Sequence, residues 1–170
     1  RSTTPPFSNV HFRNNLFLGE DYPKRPIISV STYTSYTTFD YNGYRPNSSS
    51  DYQFGWRSPA KGVAMDYELK NPLTGRFATL DEFTKATGHE AHGVIVDYDI
   101  FRNVKKANPD NPGQVFEPKD FDFRLVPGAK AVDAGCVLPN INDGYTGKAP
   151  DLGALELDGT EVVYGPRDGK

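Results

Sequence analysis

The sequence predicts an all-β protein of short strands and turns, and three observations predict it. Sixteen glycines and fourteen prolines stand among 170 residues, a share of roughly 18% against about 12% in average usage, and both residues punctuate a chain into short pieces. Extended segments with alternating side chains recur, each followed by turn residues. A single stretch carries the start and stop signals of a helix.

The elements follow in order. Residues 1–9 form a Pro/Thr/Ser run without the apolar core of a signal peptide, and read as a connection entered from elsewhere. Val10, Phe12, Asn14, Leu16 and Leu18 then alternate with His11, Arg13, Asn15 and Phe17, the period of one continuous strand. Bulky groups on both faces predict neighbours above and below. A second strand is expected over 27–32, and another extended piece over 37–41, ended by the turn signal Asn42-Gly43. Residues 45–51 are a loop by composition, with further turns at 59–62 and 71–75.

Thr79 and Glu82 form a capping box, Leu80 and Phe83 share one side, and Gly88 follows as a stop. That spacing predicts a two-turn helix near residues 80–87, too short to stand alone and therefore packed on something else. A strand is expected over 93–97, with Phe101 an apolar anchor, and 105–113 is an exposed excursion broken by prolines. Phe121, Phe123 and Leu125 alternate before Pro127-Gly128. Residues 131–136 lead into turn chemistry at 140–147, and 152–157 is a last apolar stretch. No tandem copy of fixed length appears.

Composition excludes several classes. Hydrophobic residues at 36% and aromatics at 13% are too abundant for a chain disordered throughout. No apolar run approaches the ~18 residues of a membrane span. Nineteen basic against 22 acidic side chains, a formal charge of −3, argue against a nucleic-acid footprint. Cys136 has no cysteine to pair with in this chain, so cysteine usage does not fix a compartment.

Four strings carry a resemblance. Val10-His-Phe-Arg-Asn-Asn-Leu-Phe-Leu-Gly19 resembles a rung of a right-handed parallel β-helix, and Phe77-Ala-Thr-Leu-Asp-Glu-Phe-Thr-Lys-Ala-Thr-Gly-His-Glu-Ala-His92 an inserted helix with its return strand. Asp122-Phe-Arg-Leu-Val-Pro-Gly-Ala-Lys-Ala-Val-Asp-Ala-Gly135 and Pro150-Asp-Leu-Gly-Ala-Leu-Glu156 resemble closing coils. The group they resemble is the secreted pectate-lyase-like β-helix proteins, which include polysaccharide lyases, glycoside hydrolases, and structural and adhesive members. The resemblance implies an all-β right-handed parallel β-helix over 1–160, formed of C-terminal coils. A tyrosine-rich side loop at about 33–57, a short inserted α-helix and a tail at 161–170 complete it. Three to five coils of roughly 20–30 residues are expected, with a closing cap near 149–157. It also implies an extracellular or periplasmic setting, a polysaccharide ligand, and an N-terminal β-helix segment or companion chain covering the first coil.

On that fold Asn14-Asn15 reads first as an amide ladder satisfying buried backbone groups. His11, Arg13 and Asn15, two apart on one strand face, form either a row facing a sugar or a solvated face. Tyr33, Tyr36, Tyr41, Tyr44, Arg45, Tyr52, Trp56 and Arg57 supply the aromatic platforms, hydroxyls and cations that an acidic glycan requires, or else anchor a folded loop. Asp97 and Asp99 share a face if their strand continues that far, making them candidate carboxylates for hydrolysis. His89 and His92 lack the spacing and third ligand of a zinc site, and read as a turn residue and a residue beneath the return strand. Cys136 has no local histidine to activate it and reads as a buried small side chain. No cofactor is assigned. Calcium is the candidate cation through Asp133, Asp143 and Asp151, although it needs six to eight oxygens and the calcium-loop pattern is absent.

The functional expectation is an extracellular polysaccharide-active enzyme segment, with a lyase acting by β-elimination on a uronic-acid glycan preferred for its histidine, arginine and tyrosine content. The alternatives are a glycoside hydrolase and a non-catalytic carbohydrate-binding, adhesive or structural segment.

Overall fold

A computed structural model describes residues 8–159 apart from positions 22, 107, 109 and 112. The first alternating stretch is two strands rather than one, β1 (His11–Phe12) and β2 (Leu16–Phe17). Asn14 divides them, at a φ of 58°, in the left-handed region that a short amide tolerates. There follow β3 (Ile28–Ser31), β4 (Thr38–Phe39), β5 (Gly43–Tyr44), β6 (Phe54–Ser58) and β7 (Leu73–Phe77). Helix α1 (Leu80–Thr87) precedes β8 (Val94–Ile95), β9 (Phe101–Asn103) and β10 (Asp122–Leu125). Single 3-10 turns occupy Tyr98–Ile100 and Pro118–Asp120.

The right-handed parallel β-helix expected over 1–160 does not form. The described strands fall into four separate small sheets, β1-β4, β2-β5-β8, β3-β6-β7 and β9-β10, with no solenoid and no closed sheet. Parallel pairing joins β1 to β4, β2 to β5, β5 to β8 and β3 to β6. It goes no further, because β7 returns antiparallel along β6 and β9 pairs antiparallel with β10. A coil passes its register to the next only through strands that all run one way; two hairpin-type pairings and strands of two residues break that chain of registers. The three to five coils and the closing cap are corrected with it.

The side loop at 33–57 is corrected too, since β4, β5 and β6 lie within it. The expected turn at Asn42-Gly43 falls one residue earlier: Tyr41 takes the left-handed backbone, φ 56°. Gly43 enters β5, where a Cβ would stand 2.7 Å from Leu16 Cδ2, so close packing rather than turn geometry requires glycine there.

Aromatic rings carry the main core. Phe12 stacks on Phe39 at 4.3 Å and Phe17 on Tyr44 at 5.0 Å, each pair bridging two parallel strands. Tyr44 meets Phe54 edge-on at 5.2 Å, and Phe54 stacks on Phe83 of α1 at 5.0 Å. The helix explains itself locally. Thr79 Oγ1 accepts from the Glu82 N–H, Glu82 Oε2 accepts from the Ala78 N–H, and Gly88 closes the helix at φ 79°. Its fully buried Phe83 docks it on the sheet that β6 and β7 form. A second cluster of Val96, Ile100, Leu125, Ala131 and Leu152 holds the C-terminal part. Asn14 ties that part to the first strands: its Nδ2 donates to Cys136 O and its Oδ1 accepts from Cys136 N, both at 2.8 Å.

Phe83 is fully buried and packs against four rings, those of Phe54, Trp56, Phe77 and His89. Phe83→Ala is expected to lower unfolding free energy by about 3–5 kcal/mol in urea titration. A loss near zero would show that α1 is not docked by this residue.

Candidate functional site

The parallel register of β1 and β4 sets His11 beside Thr38, and the residues that follow line up outward in the same way. His11 Nδ1 lies 2.7 Å from Thr38 Oγ1. Arg13 folds over β4, its Nη1 donating to Phe12 O and Thr38 O and its Nη2 to Thr38 Oγ1. Asp40, just beyond β4, accepts the Tyr41 N–H at 3.0 Å and the His92 N–H at 2.9 Å through Oδ1. Its Oδ2 stands 3.0 Å from His92 Nδ1. The His92 ring stacks on Tyr41, with centroids 4.2 Å apart and planes 11° off parallel.

This cluster has directed chemistry. An ionised carboxylate only accepts, so Nδ1 carries the proton toward Asp40 and Nε2 of a neutral His92 keeps a lone pair. The His92 side chain is 56% exposed and that of Asp40 22%, so the pair opens to solvent at the imidazole end. Burial alone would push the Asp40 carboxyl up; hydrogen bonds from the His92 side chain and backbone, and from Tyr41, hold it below the usual carboxylate range. Asn15, the third residue of the expected row, instead donates to Arg13 O and to Asn42 Oδ1. The bend at Asn14 removes it from a common strand face with His11 and Arg13.

The other sequence candidates separate. Tyr44 and Trp56 lie in the core. Arg45 is buried between carboxylates, its Nε donating to Asp97 at 2.7 Å and its Nη1 and Nη2 to Asp21 at 3.2 Å. Hydrogen bonds from Arg45 and then Lys106 hold Asp21 far below the usual carboxylate range. Tyr33 tilts against exposed Tyr67, Tyr36 stands half-exposed, and Tyr52 lies under the Arg76 guanidinium at 5.0 Å. Arg57 is exposed on β6. The materials of the tyrosine-rich segment thus meet different partners rather than one wall.

Asp97 and Asp99 do not share a strand face, because β8 ends at Ile95. Asp97 caps the following 3-10 turn through the Tyr98 N–H, while Asp99 lies inside that turn. The calcium candidates staple turns: Asp133 accepts from Lys148 and Ala149 N–H, Asp151 from Asp133 and Leu157, and Asp143 from Asn140. Among the described residues no three His, Cys, Asp or Glu side chains gather around a metal position.

Sequence reasoning missed Asp40 and its contact with His92. They are 52 positions apart, and only parallel stacking of their segments joins them. The link is a buried network beneath. Asn42 Nδ2 donates to Glu90 Oε1 at 2.7 Å, the Tyr44 hydroxyl donates to the same oxygen at 2.6 Å, and Asn42 Oδ1 accepts from the Asn15 N–H. Asn42 stands two residues after Asp40, and Glu90 two before His92, so this network sets both halves of the surface pair.

Comparison with protein-family models, curated proteins and solved structures finds no match for the chain.

Burial pushes the Glu90 carboxyl above the usual carboxylate range, against the pull of hydrogen bonds from Tyr44 and Asn42. The folded state therefore holds this proton more tightly than the unfolded chain. Its contribution to stability falls as pH rises from the ordinary glutamate value through the raised one. Glu90→Gln removes that dependence. The expected result is an unfolding free energy, wild type minus variant, that declines across this window and is flat above it. Asp21, Asp40 and Asp97, with lowered values and the opposite sign, are common to both proteins. A difference independent of pH would refute the assignment.

Proposed function

We propose that this chain is part of an extracellular or periplasmic polysaccharide-active protein that cleaves a uronic-acid glycan by β-elimination, with His92 as the base. The observation that carries the reading is the Asp40–His92 pair: a solvent-facing imidazole oriented by a carboxylate at 3.0 Å and backed by a tyrosine ring. The reading rests on this side-chain chemistry and not on a fold.

In such a reaction His92 Nε2 takes the proton α to the uronate carboxylate, and the electron pair of that C–H bond forms the new double bond as the glycosidic C–O bond breaks. Asp40 keeps the imidazole in the accepting tautomer and offsets the positive charge it gains. Negative charge grows on the uronate carboxylate, and a cation beside it lowers that cost. Arg13 supports this role, because its hydrogen bonds run to carbonyl and hydroxyl oxygens and, among the described residues, no carboxylate pairs with it. The Tyr41 phenol, on a ring 4.2 Å from the imidazole, is the proton donor to the departing oxygen.

The test is product analysis on pectate, alginate and glycosaminoglycan. Unsaturated uronate ends are expected, formed about 10²–10⁴-fold more slowly by His92→Ala, with Asp40→Asn also slowed. Reducing ends without unsaturation would point to hydrolysis, and binding without cleavage to a non-catalytic segment; either overturns the reading. So would a His92→Ala variant that keeps the wild-type rate.

A further inference from the structure

A concavity lies on residues apart from that pair. The end of β6, the turn after it and the C-terminus of α1 enclose a cavity of about 310 Å³, lined by Trp56, Ser58, Lys61, Thr87 and His89 among others. It shares no residue with the Asp40–His92 pair. Its size stands at the small end of ligand pockets, which run from about 300 to 1,000 Å³, so it suits one ring rather than a stretch of polymer.

The lining has an unspent polar inventory. Trp56 is only 3% exposed, and among the described residues its buried indole N–H has no hydrogen-bond partner, a state that ordinarily costs free energy. The His89 ring rests 4.5 Å from the indole, tilted by 54°, and contacts Phe39 and Phe83 edges as well. Among the described residues no side-chain hydrogen bond holds that imidazole, so its ring nitrogens keep their hydrogen-bonding capacity. Burial lowers the His89 proton affinity, leaving a neutral ring that donates at one nitrogen and accepts at the other. Lys61 is an exposed cation at the rim, whereas Lys85 is already paired with Asp81. The hydroxyls are the complement: Ser58 donates to Pro59 O and Thr87 to Phe83 O, and Thr87 Oγ1 already accepts the His89 N–H, so what remains to both is acceptor capacity.

We propose that this cavity binds a small hydroxylated carboxylate, of the size of one sugar-acid ring. Lys61 meets the carboxylate, the Trp56 N–H and His89 take an acceptor oxygen, and Ser58 and Thr87 receive ligand hydroxyls. Each ligand feature answers a lining group: a charge for Lys61, an acceptor for the indole N–H, donors for the two hydroxyls, and a compact ring for a cavity of this size. This site stands independently of the cleavage chemistry.

Trp56 is the sole tryptophan of the chain, so its fluorescence reports on this cavity. Titration with D-galacturonate is expected to give a saturable change with matching heat in calorimetry. D-galactose, lacking the charge, and acetate, lacking the ring, give none over the same range. Lys61→Ala, an exposed change, is expected to weaken galacturonate about tenfold or more. Equal binding of galactose, an unchanged affinity in Lys61→Ala, or saturable heat without a Trp56 signal would overturn the proposal, as would the absence of any binding at millimolar ligand. Because the readout is binding, its failure leaves the elimination assay to stand or fall separately.

Discussion

One buried hydrogen-bonded knot, Asn42 with Glu90, sets the geometry of the whole N-terminal half. Asn42 is fully buried, and its amide works in both directions: Oδ1 accepts from the Asn15 backbone and side chain, while Nδ2 donates to Phe12 O, Asp40 O and Glu90 Oε1. Glu90 takes in addition the Tyr44 hydroxyl and the Asn42 N–H, and its backbone N–H bonds to Phe39 O. The carboxylate stays buried because donors surround it. A buried carboxylate with half its donors removed would carry an unsatisfied group at a cost of about 1–3 kcal/mol or more. Networks of this sort fix register where apolar packing alone leaves it free, since strands of two residues supply few ladder bonds of their own.

The aromatic stacks and the knot reinforce each other. Phe12 over Phe39 and Phe17 over Tyr44 bury area between neighbouring strands, and stacked rings tolerate small slips along the strand. Tyr44 does not slip, because its hydroxyl is anchored to Glu90 at 2.6 Å. The same anchor raises the phenol's proton affinity, burial being the larger cause and the Glu90 charge the next. Apolar contact thus provides most of the driving force, and the polar anchor selects one arrangement from those that packing permits.

How much of this was legible follows from which signals are local. The helix at Leu80–Thr87 was, because Thr79, Glu82 and Gly88 act within their own turn. The strands at 28–31, 38–39, 94–95 and 122–125 lie within extended segments that the sequence predicts, whose expected ends run longer. The pairing was not legible. Alternation says that a strand has a face, not whether its partner runs parallel or antiparallel, and the antiparallel return of β7 onto β6 overturned the expected solenoid. Two left-handed residues, Asn14 and Tyr41, also escaped: asparagine is a common occupant of that region, whereas tyrosine there is paid for by its place against His92. Tyr44 and Arg45 show the same limit for the site, since a residue type suited to sugar contact is equally suited to a core or a buried ion pair, and only burial separates the uses.

The contrast between the two charged clusters explains why one is the candidate site and the other is structure. Arg45 spends its guanidinium on Asp21, Asp97 and the Gly19 carbonyl, with the side chain only 8% exposed; each charge is answered, and nothing remains to act on a ligand. Asp40 is likewise answered, by three donors, but the imidazole that answers it presents its far nitrogen to solvent. Directional chemistry needs this asymmetry: a group held firmly at one end and unspent at the other. The knot beneath supplies the firmness, because Asn42 and Glu90 fix the two backbone segments from which Asp40 and His92 project. A surface dyad on unconstrained loops would lose its 3.0 Å contact to thermal motion, and here the contact rests on residues the solvent does not reach.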